Sequence, residues 1–182
     1  MRKIVVLLLA LLIFNISEAQ VMIEEGEKPS VFDRMYFGGG FSLSFGTITS
    51  VYVSPVVGYM INRSLSGGVG ITYQFYKDDR FNYQTNTYGG KLFLRQNFNL
   101  LKLPLFLYAE YENLNFEFGR ILPNDQIIYT REWIPALFLG GGFFQPFGRR
   151  GGFSITAMYN VIYDDIRSPY NSPWVFRVGF TL

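Results

Sequence analysis

The chain has 182 residues, a formal charge of +2, 19% aromatic residues and 16% charged ones, the last well below the roughly 25% of ordinary soluble domains. It contains no cysteine and no histidine, which excludes a disulfide framework, thiolate metal sites and Ser-His-Asp or Cys-His catalysis. Its charge is near neutral with no basic stripe, so no nucleic-acid partner is expected.

Residues 1–19 read as a cleaved signal peptide. Arg2 and Lys3 precede an apolar run over residues 4–14, and Ser17-Glu18-Ala19 places small residues where a signal peptidase cuts. That run is too short to span about 30 Å of hydrocarbon. Residues 20–33, with Glu24, Glu25, Glu27 and Pro29, lack strand periodicity and read as a leader.

From residue 34 the chain alternates with period 2, the mark of strands whose two faces differ. The first strand, about residues 34–45, sets Phe37, Phe41, Leu43 and Phe45 against Tyr36, Gly38, Gly40 and Ser42. The second, about 49–61, carries Pro55, where a bulge or bend is expected because proline cannot donate to a ladder. Asn62-Arg63-Ser64 turns into a third strand, and a polar loop is expected over residues 77–86. The fourth strand places Lys91 and Arg95 on its polar face, and the fifth places Glu110 and Glu112 there. A turn centred on Lys102-Leu103 between them would set Arg95 opposite Glu110 and Lys91 diagonal to Glu112.

Past Asn113 the apolar phase flips to Leu114, Phe116 and Phe118, so a bulge or an exit from the apolar zone is expected. Residues 113–132 read as a projecting hairpin, with Phe116, Phe118, Ile127, Ile128 and Tyr129 as candidate partner contacts. A sixth strand runs through Trp133 and Leu139, a seventh through Phe153–Tyr163, and a polar loop covers residues 164–173. The last strand puts Trp174, Phe176, Val178, Phe180 and Leu182 on one face and Arg177 on the other. An unpaired terminal strand would leave an apolar open edge, and pairing it with the first strand closes a barrel.

Eight strands, with short turns after the second, fourth and sixth and longer polar loops after the third, fifth and seventh, fit a transmembrane barrel. The chain from residue 34 to 182 resembles the small eight-stranded outer-membrane β-barrels of Gram-negative bacteria. The resemblance implies an all-β, closed, antiparallel up-and-down transmembrane barrel, exported through the periplasm to the bacterial outer membrane, with residues 20–33 on the periplasmic side. Its partners would then be outer-membrane lipid and lipopolysaccharide, the barrel-assembly machinery during insertion, and as a candidate another outer-membrane protein. Trp174, Phe176, Phe180 and Leu182 are similar to the terminal strand by which such barrels are recognised for assembly.

The rival architecture is a secreted barrel of lipocalin type, with the apolar face inside. The polar face is rich in Gly, Ser and Thr and its charges, Lys91, Arg95, Glu110, Glu112 and Arg177, are few and of both signs. A narrow lumen suits such residues better than a solvated surface does. These five charges are expected to form a paired interior network, since a buried charge is tolerated only when compensated. Glu110 and Glu112 could also be read as a glycosidase pair, but ion pairing is the simpler account. Glycines at 38–40, 67–70 and 140–142 complete no G-x-G-x-x-G motif and are expected to make room for Tyr52 and Tyr76. Asp78-Asp79 and Asp164-Asp165 read as solvated acidic loops rather than cation sites, and no cofactor is expected.

The leading functional expectation is a non-enzymatic barrel with a structural or interaction role through its loops and lipid face. An accessory subunit of an outer-membrane export, uptake or assembly complex is the alternative, and a narrow ion channel the third.

Overall fold

Met35–Ser44 (β1), Ile48–Met60 (β2), Leu65–Asp78 (β3), Tyr83–Leu100 (β4), Leu103–Ile121 (β5), Ile127–Phe147 (β6), Gly151–Asn160 (β7) and Trp174–Thr181 (β8) pair antiparallel in chain order, and β8 returns to β1 to close the barrel. The computed structural model describes residues 30–81, 83–121, 127–147 and 151–182. The signal-peptide reading and most of the leader fall outside those residues. A 3-10 turn, Phe32–Arg34, leads into β1.

The faces follow the alternation. Along β8 the side chains are exposed and half-buried in strict turn, with Trp174, Phe176, Val178 and Phe180 outward and Arg177 inward. Outward residues of the other strands, such as Phe41, Ile71, Leu92 and Ile155, are likewise exposed, while Phe106, Phe138 and Met158 are buried in the lumen. Alternating strands put one residue set on each face, so the apolar band lies outside and the mixed set inside.

The lumen is lined by aromatic rings seated over glycines. Tyr36 lies opposite Gly58, Phe93 opposite Gly68 and Phe106 opposite Gly142. A Cβ at Gly58 would stand 2.1 Å from Cζ of Tyr36, and one at Gly68 2.7 Å from the Phe93 ring. The glycines therefore accommodate Tyr36, Phe93 and Phe106 rather than the expected Tyr52 and Tyr76.

The expected bulge at Pro55 is absent. Its register with β1 and β3 continues on both sides without an extra residue. Instead the β2–β3 ladder lapses at Ser54 and Pro55, and Ser54 Oγ donates to the carbonyl of Ile71 at 3.1 Å. Opposite Pro55, Gly39 has φ of 144°, and a side chain there would meet the Ser54 carbonyl. The polar loop expected over residues 77–86 is largely strand, because β3 runs to Asp78 and β4 begins at Tyr83.

Strand lengths are unequal. β5 and β6 have 19 and 21 residues, against 10 in β1 and 8 in β8. Their pairing is unbroken from Leu105↔Phe143 to Ile121↔Ile127, so no bulge accompanies the phase flip at Asn113. The strand simply continues past the apolar band while the residues on its two faces exchange character.

Candidate functional site

Four charged side chains from three strands meet in the lumen. β4 supplies Lys91, β5 supplies Glu110 and Glu112 on the same face two residues apart, and β8 supplies Arg177. Glu110 and Glu112 are almost wholly buried, at 1% and 0% exposure. Each of their four oxygens accepts. Arg177 Nη1 donates to Glu110 Oε1, while Tyr108 Oη donates to Oε2 at 2.8 Å with Lys91 Nζ 3.5 Å away. Thr72 Oγ1 donates to Glu112 Oε1 at 3.0 Å, and Tyr170 Oη donates to Oε2. Arg177 Nη2 stands 3.7 Å from that last oxygen and donates to Tyr170 Oη at 3.3 Å. Burying two carboxylates is costly unless their oxygens are met by donors, and here each of the four oxygens has at least one.

The expected pairing across β4 and β5 needs correction. The turn is the two-residue pair Leu101-Lys102, both at positive φ (51° and 67°), closed by Leu100↔Leu103. Two positive φ values are the signature of the primed hairpin turn that matches strand twist. Relative to a turn centred on Lys102-Leu103, every partner shifts by two residues. Lys91 thus lies opposite Glu112, Phe93 opposite Glu110 and Arg95 opposite Tyr108. A two-residue shift preserves the faces, which is why the inward set is still the expected one.

Arg95 stands apart from the ion pairs. Its guanidinium lies over the rings of Phe106 and Phe144, 4.0 and 4.6 Å from their centroids. Nε donates to Asn97 Oδ1 at 2.8 Å, and among the described residues Arg95 forms no ion pair. It was expected within the charge network; it makes cation–π contacts with two rings beside that network instead.

Tyr170 is the residue that sequence reasoning missed. It belongs to the segment between β7 and β8, where alternation carries no information, and its hydroxyl reaches Glu112 from above while its ring meets Phe138 edge-on at 5.3 Å. Tyr163, expected in the seventh strand, lies in the same segment and donates to the Tyr170 carbonyl at 3.1 Å. Asp164 is occupied by the backbone N–H groups of Ile166 and Arg167, and Asp78 and Asp79 pair with Arg80 and Lys77. Among the described residues no group of three acidic, His or Cys side chains could hold a metal.

The upper part of β5 and β6 forms a two-stranded ribbon. Pairing with β4 ends at Tyr88↔Asn115, and pairing with β7 begins only at Phe138↔Asn160. One ribbon face carries Leu114, Phe116 and Phe118, the last two stacked edge to face at 5.0 Å. The other carries Asn115, Glu117 and Arg131. Arg131 donates to Glu117 Oε2 (3.2 Å), Asn115 Oδ1 (3.0 Å) and the Asn86 carbonyl (2.7 Å), which ties the upper end of β4 to the ribbon. Phe116 and Phe118 therefore continue the lumen side rather than offering an outer surface. Ile128 and Tyr129 are about half exposed, at 48% and 51%, and Tyr129 stacks on Tyr83 at 5.4 Å. The side chain of Ile127 lies outside the described residues. Along residues 127–136 the β7-side edge of β6 carries no strand partner among the described residues.

Trp174, Phe176, Phe180 and Leu182 all point outward, with exposures of 56%, 74%, 45% and 74%. Trp174 meets Tyr159 and Trp133 meets Tyr88 in edge-to-face pairs at 5.1 and 6.0 Å, at the level where the apolar band gives way to the loops.

No family model and no curated protein matches the chain. Among solved structures, the N-terminal β-barrel domain of Pseudomonas aeruginosa OprF is similar, with 13% identity, a TM-score of 0.42, and coverage of 81% of this chain and 92% of that one.

Proposed function

We propose that this chain is a non-enzymatic outer-membrane β-barrel that acts through contacts made by its extracellular end and its lipid face. The observation that carries this reading is the outward band. Phe41 on β1, Val53 on β2, Ile71 on β3, Leu94 on β4, Tyr111 on β5, Leu139 on β6, Ile155 on β7 and Phe176 on β8 are exposed all the way around the closed barrel. Soluble monomers rarely expose a contiguous apolar patch beyond a few hundred Å². In hydrocarbon that band is the required coat, and the Tyr88–Trp133 and Tyr159–Trp174 pairs suit its interfacial rim. The strand bearing Trp174, Phe176, Phe180 and Leu182 then serves barrel assembly during insertion, and lipopolysaccharide surrounds the loop end.

The lumen supports a role without turnover or general diffusion. Both carboxylates are fully engaged, and Tyr170 sits over them. The test is the behaviour of the mature protein: it should require detergent, give β-type circular dichroism and migrate on gels in a heat-modifiable way. Recovery of a monodisperse, lipid-free protein from the aqueous phase would overturn the reading.

A second reading, an accessory subunit of a larger outer-membrane complex, is favoured by one feature. The β6 edge over residues 127–136, which has no strand partner among the described residues, is a template for strand addition by a protein partner. Purification from native membranes without crosslinking separates the two, because a stoichiometric partner supports the second.

A further inference from the structure

The seam between β1 and β8 is the weakest contact of the barrel. Its ladder consists of Gly38↔Thr181 and Gly39↔Phe180, extended by reciprocal backbone bonds between Phe37 and Leu182 at 2.8 and 3.3 Å. Beyond Gly39 no rung joins the strands, although β1 remains paired with β2 as far as Ser44↔Ser50 and β8 with β7 as far as Tyr159↔Trp174. In hydrocarbon, a strand edge without a partner is costly, so an open seam in a membrane barrel calls for a reason.

Behind the gap lies a cavity of about 430 Å³. Its walls include lumen residues, among them Tyr52, Lys91 and Arg95, and outward ones, among them Phe41, Phe176 and Val178. Residues of both β1 and β8 therefore border it along the seam, and it falls in the range of about 300–1,000 Å³ typical of small-molecule sites. The lumen is thus not filled throughout by side chains, although eight strands leave an interior that side chains alone can fill.

The charge inside is unbalanced. Lys91, Arg95 and Arg177 face two carboxylates whose four oxygens are already met by Arg177, Lys91, Tyr108, Thr72 and Tyr170. Among the described residues, Arg95 is left without an anion. Its guanidinium lies over the rings of Phe106 and Phe144, and stacking on rings leaves the in-plane N–H donors other than Nε available. Those donors match the oxygens of a carboxylate or phosphate.

We propose that the cavity binds the anionic head of a single-chain amphiphile, a carboxylate or phosphate held by Arg95, which enters sideways through the β1–β8 seam. Its apolar chain lies in the gap beside Phe41, Phe176 and Val178. Tyr170 sits over the carboxylates at the loop end, and the seam is the side of the cavity that borders the apolar outer residues. The proposal rests on the reading of the outer band as lipid-facing.

The test measures binding of palmitate, hexadecyl phosphate and hexadecanol to the purified, heat-modifiable barrel in non-ionic detergent, by native mass spectrometry and calorimetry. One equivalent of palmitate or hexadecyl phosphate should bind, while hexadecanol should bind at least tenfold more weakly. Arg95→Gln should weaken the anionic probes by about tenfold or more, as loss of a charged hydrogen bond does. Continuing the seam's register places Phe41 opposite Val178, and the native chain has no cysteine. A Phe41→Cys/Val178→Cys barrel should lose binding when its disulfide is formed and recover it on reduction. Equal binding of hexadecanol, retention in Arg95→Gln or retention in the bridged barrel would each overturn the proposal. A heat-modifiable barrel that binds neither anion would also overturn it and leave the membrane reading standing. A protein that never needs detergent would fail on that earlier reading instead.

Discussion

Tyr170 and Glu112 stand 58 residues apart in the chain and are joined by a hydrogen bond inside the barrel, the tyrosine hydroxyl donating to Oε2. That one contact draws the segment between β7 and β8 down over the lumen and completes the donors around a buried carboxylate.

Tyr170→Phe should therefore loosen the cap without disturbing the ladder. Loss of a hydrogen bond to a buried charged group costs about 1–3 kcal/mol. A lower urea midpoint in detergent and faster proteolysis within residues 161–173 are expected. Unchanged proteolysis would mean that other contacts hold the cap.

The Arg177–Glu110 pair should be the strongest coupling in the lumen. Removing one partner leaves an unpaired buried charge and should cost about 3–5 kcal/mol, whereas replacing both with apolar residues should cost much less than the sum. A double-mutant cycle on Arg177→Met and Glu110→Leu, followed by urea unfolding, reads that coupling. The same cycle on Arg95→Gln and Glu110→Gln should show a much smaller coupling, because Arg95 pairs with rings and not with carboxylates.

Gly58→Ala should destabilise the barrel through one neighbour. All three atoms nearest to a Cβ at that position belong to the Tyr36 ring, at 2.1, 2.5 and 2.5 Å. Overpacking of this kind costs about 1–3 kcal/mol. In a Tyr36→Ala background the same substitution should cost little, and a persistent penalty would place the strain in the backbone instead.

Loop order should depend on acid. Asp78 accepts from Nε, Nη2 and the backbone N–H of Arg80. That guanidinium holds its carboxyl below the ordinary carboxylate range. A lowered folded-state value means that the stabilisation is present above the unfolded carboxylate pKa and is lost as pH falls through the folded one. Amide protection factors at residues 79–81, corrected for the intrinsic exchange rate, should therefore fall in acid, and Asp78→Asn should remove that dependence.

The faces of the barrel were legible because one set of positions is uniformly apolar. The alternation from Trp174 to Leu182 places Arg177 inside without any knowledge of its partners. What was not legible has physical causes. Tyr83–Thr87 and the upper part of β5 are strand outside the apolar band, where both faces are polar or the apolar face is inverted, so alternation no longer separates strand from loop. The β4–β5 register depended on Leu101 and Lys102 adopting positive φ, which neither residue type signals. Tyr170 reaches its carboxylate from a loop, and no local pattern encodes a contact of that separation.

The account rests most heavily on the outer band being immersed in lipid, and the only two tryptophans report on it directly. Trp133 and Trp174 point outward, 54% and 56% exposed, at the rim of the band. The measurement is tryptophan fluorescence of the protein reconstituted in phosphatidylcholine vesicles brominated at different acyl positions. The account predicts strong quenching, greatest for bromines nearest the head groups and weaker towards the chain ends. Emission from both tryptophans that no brominated lipid quenches, with the protein remaining in the aqueous phase, would contradict it.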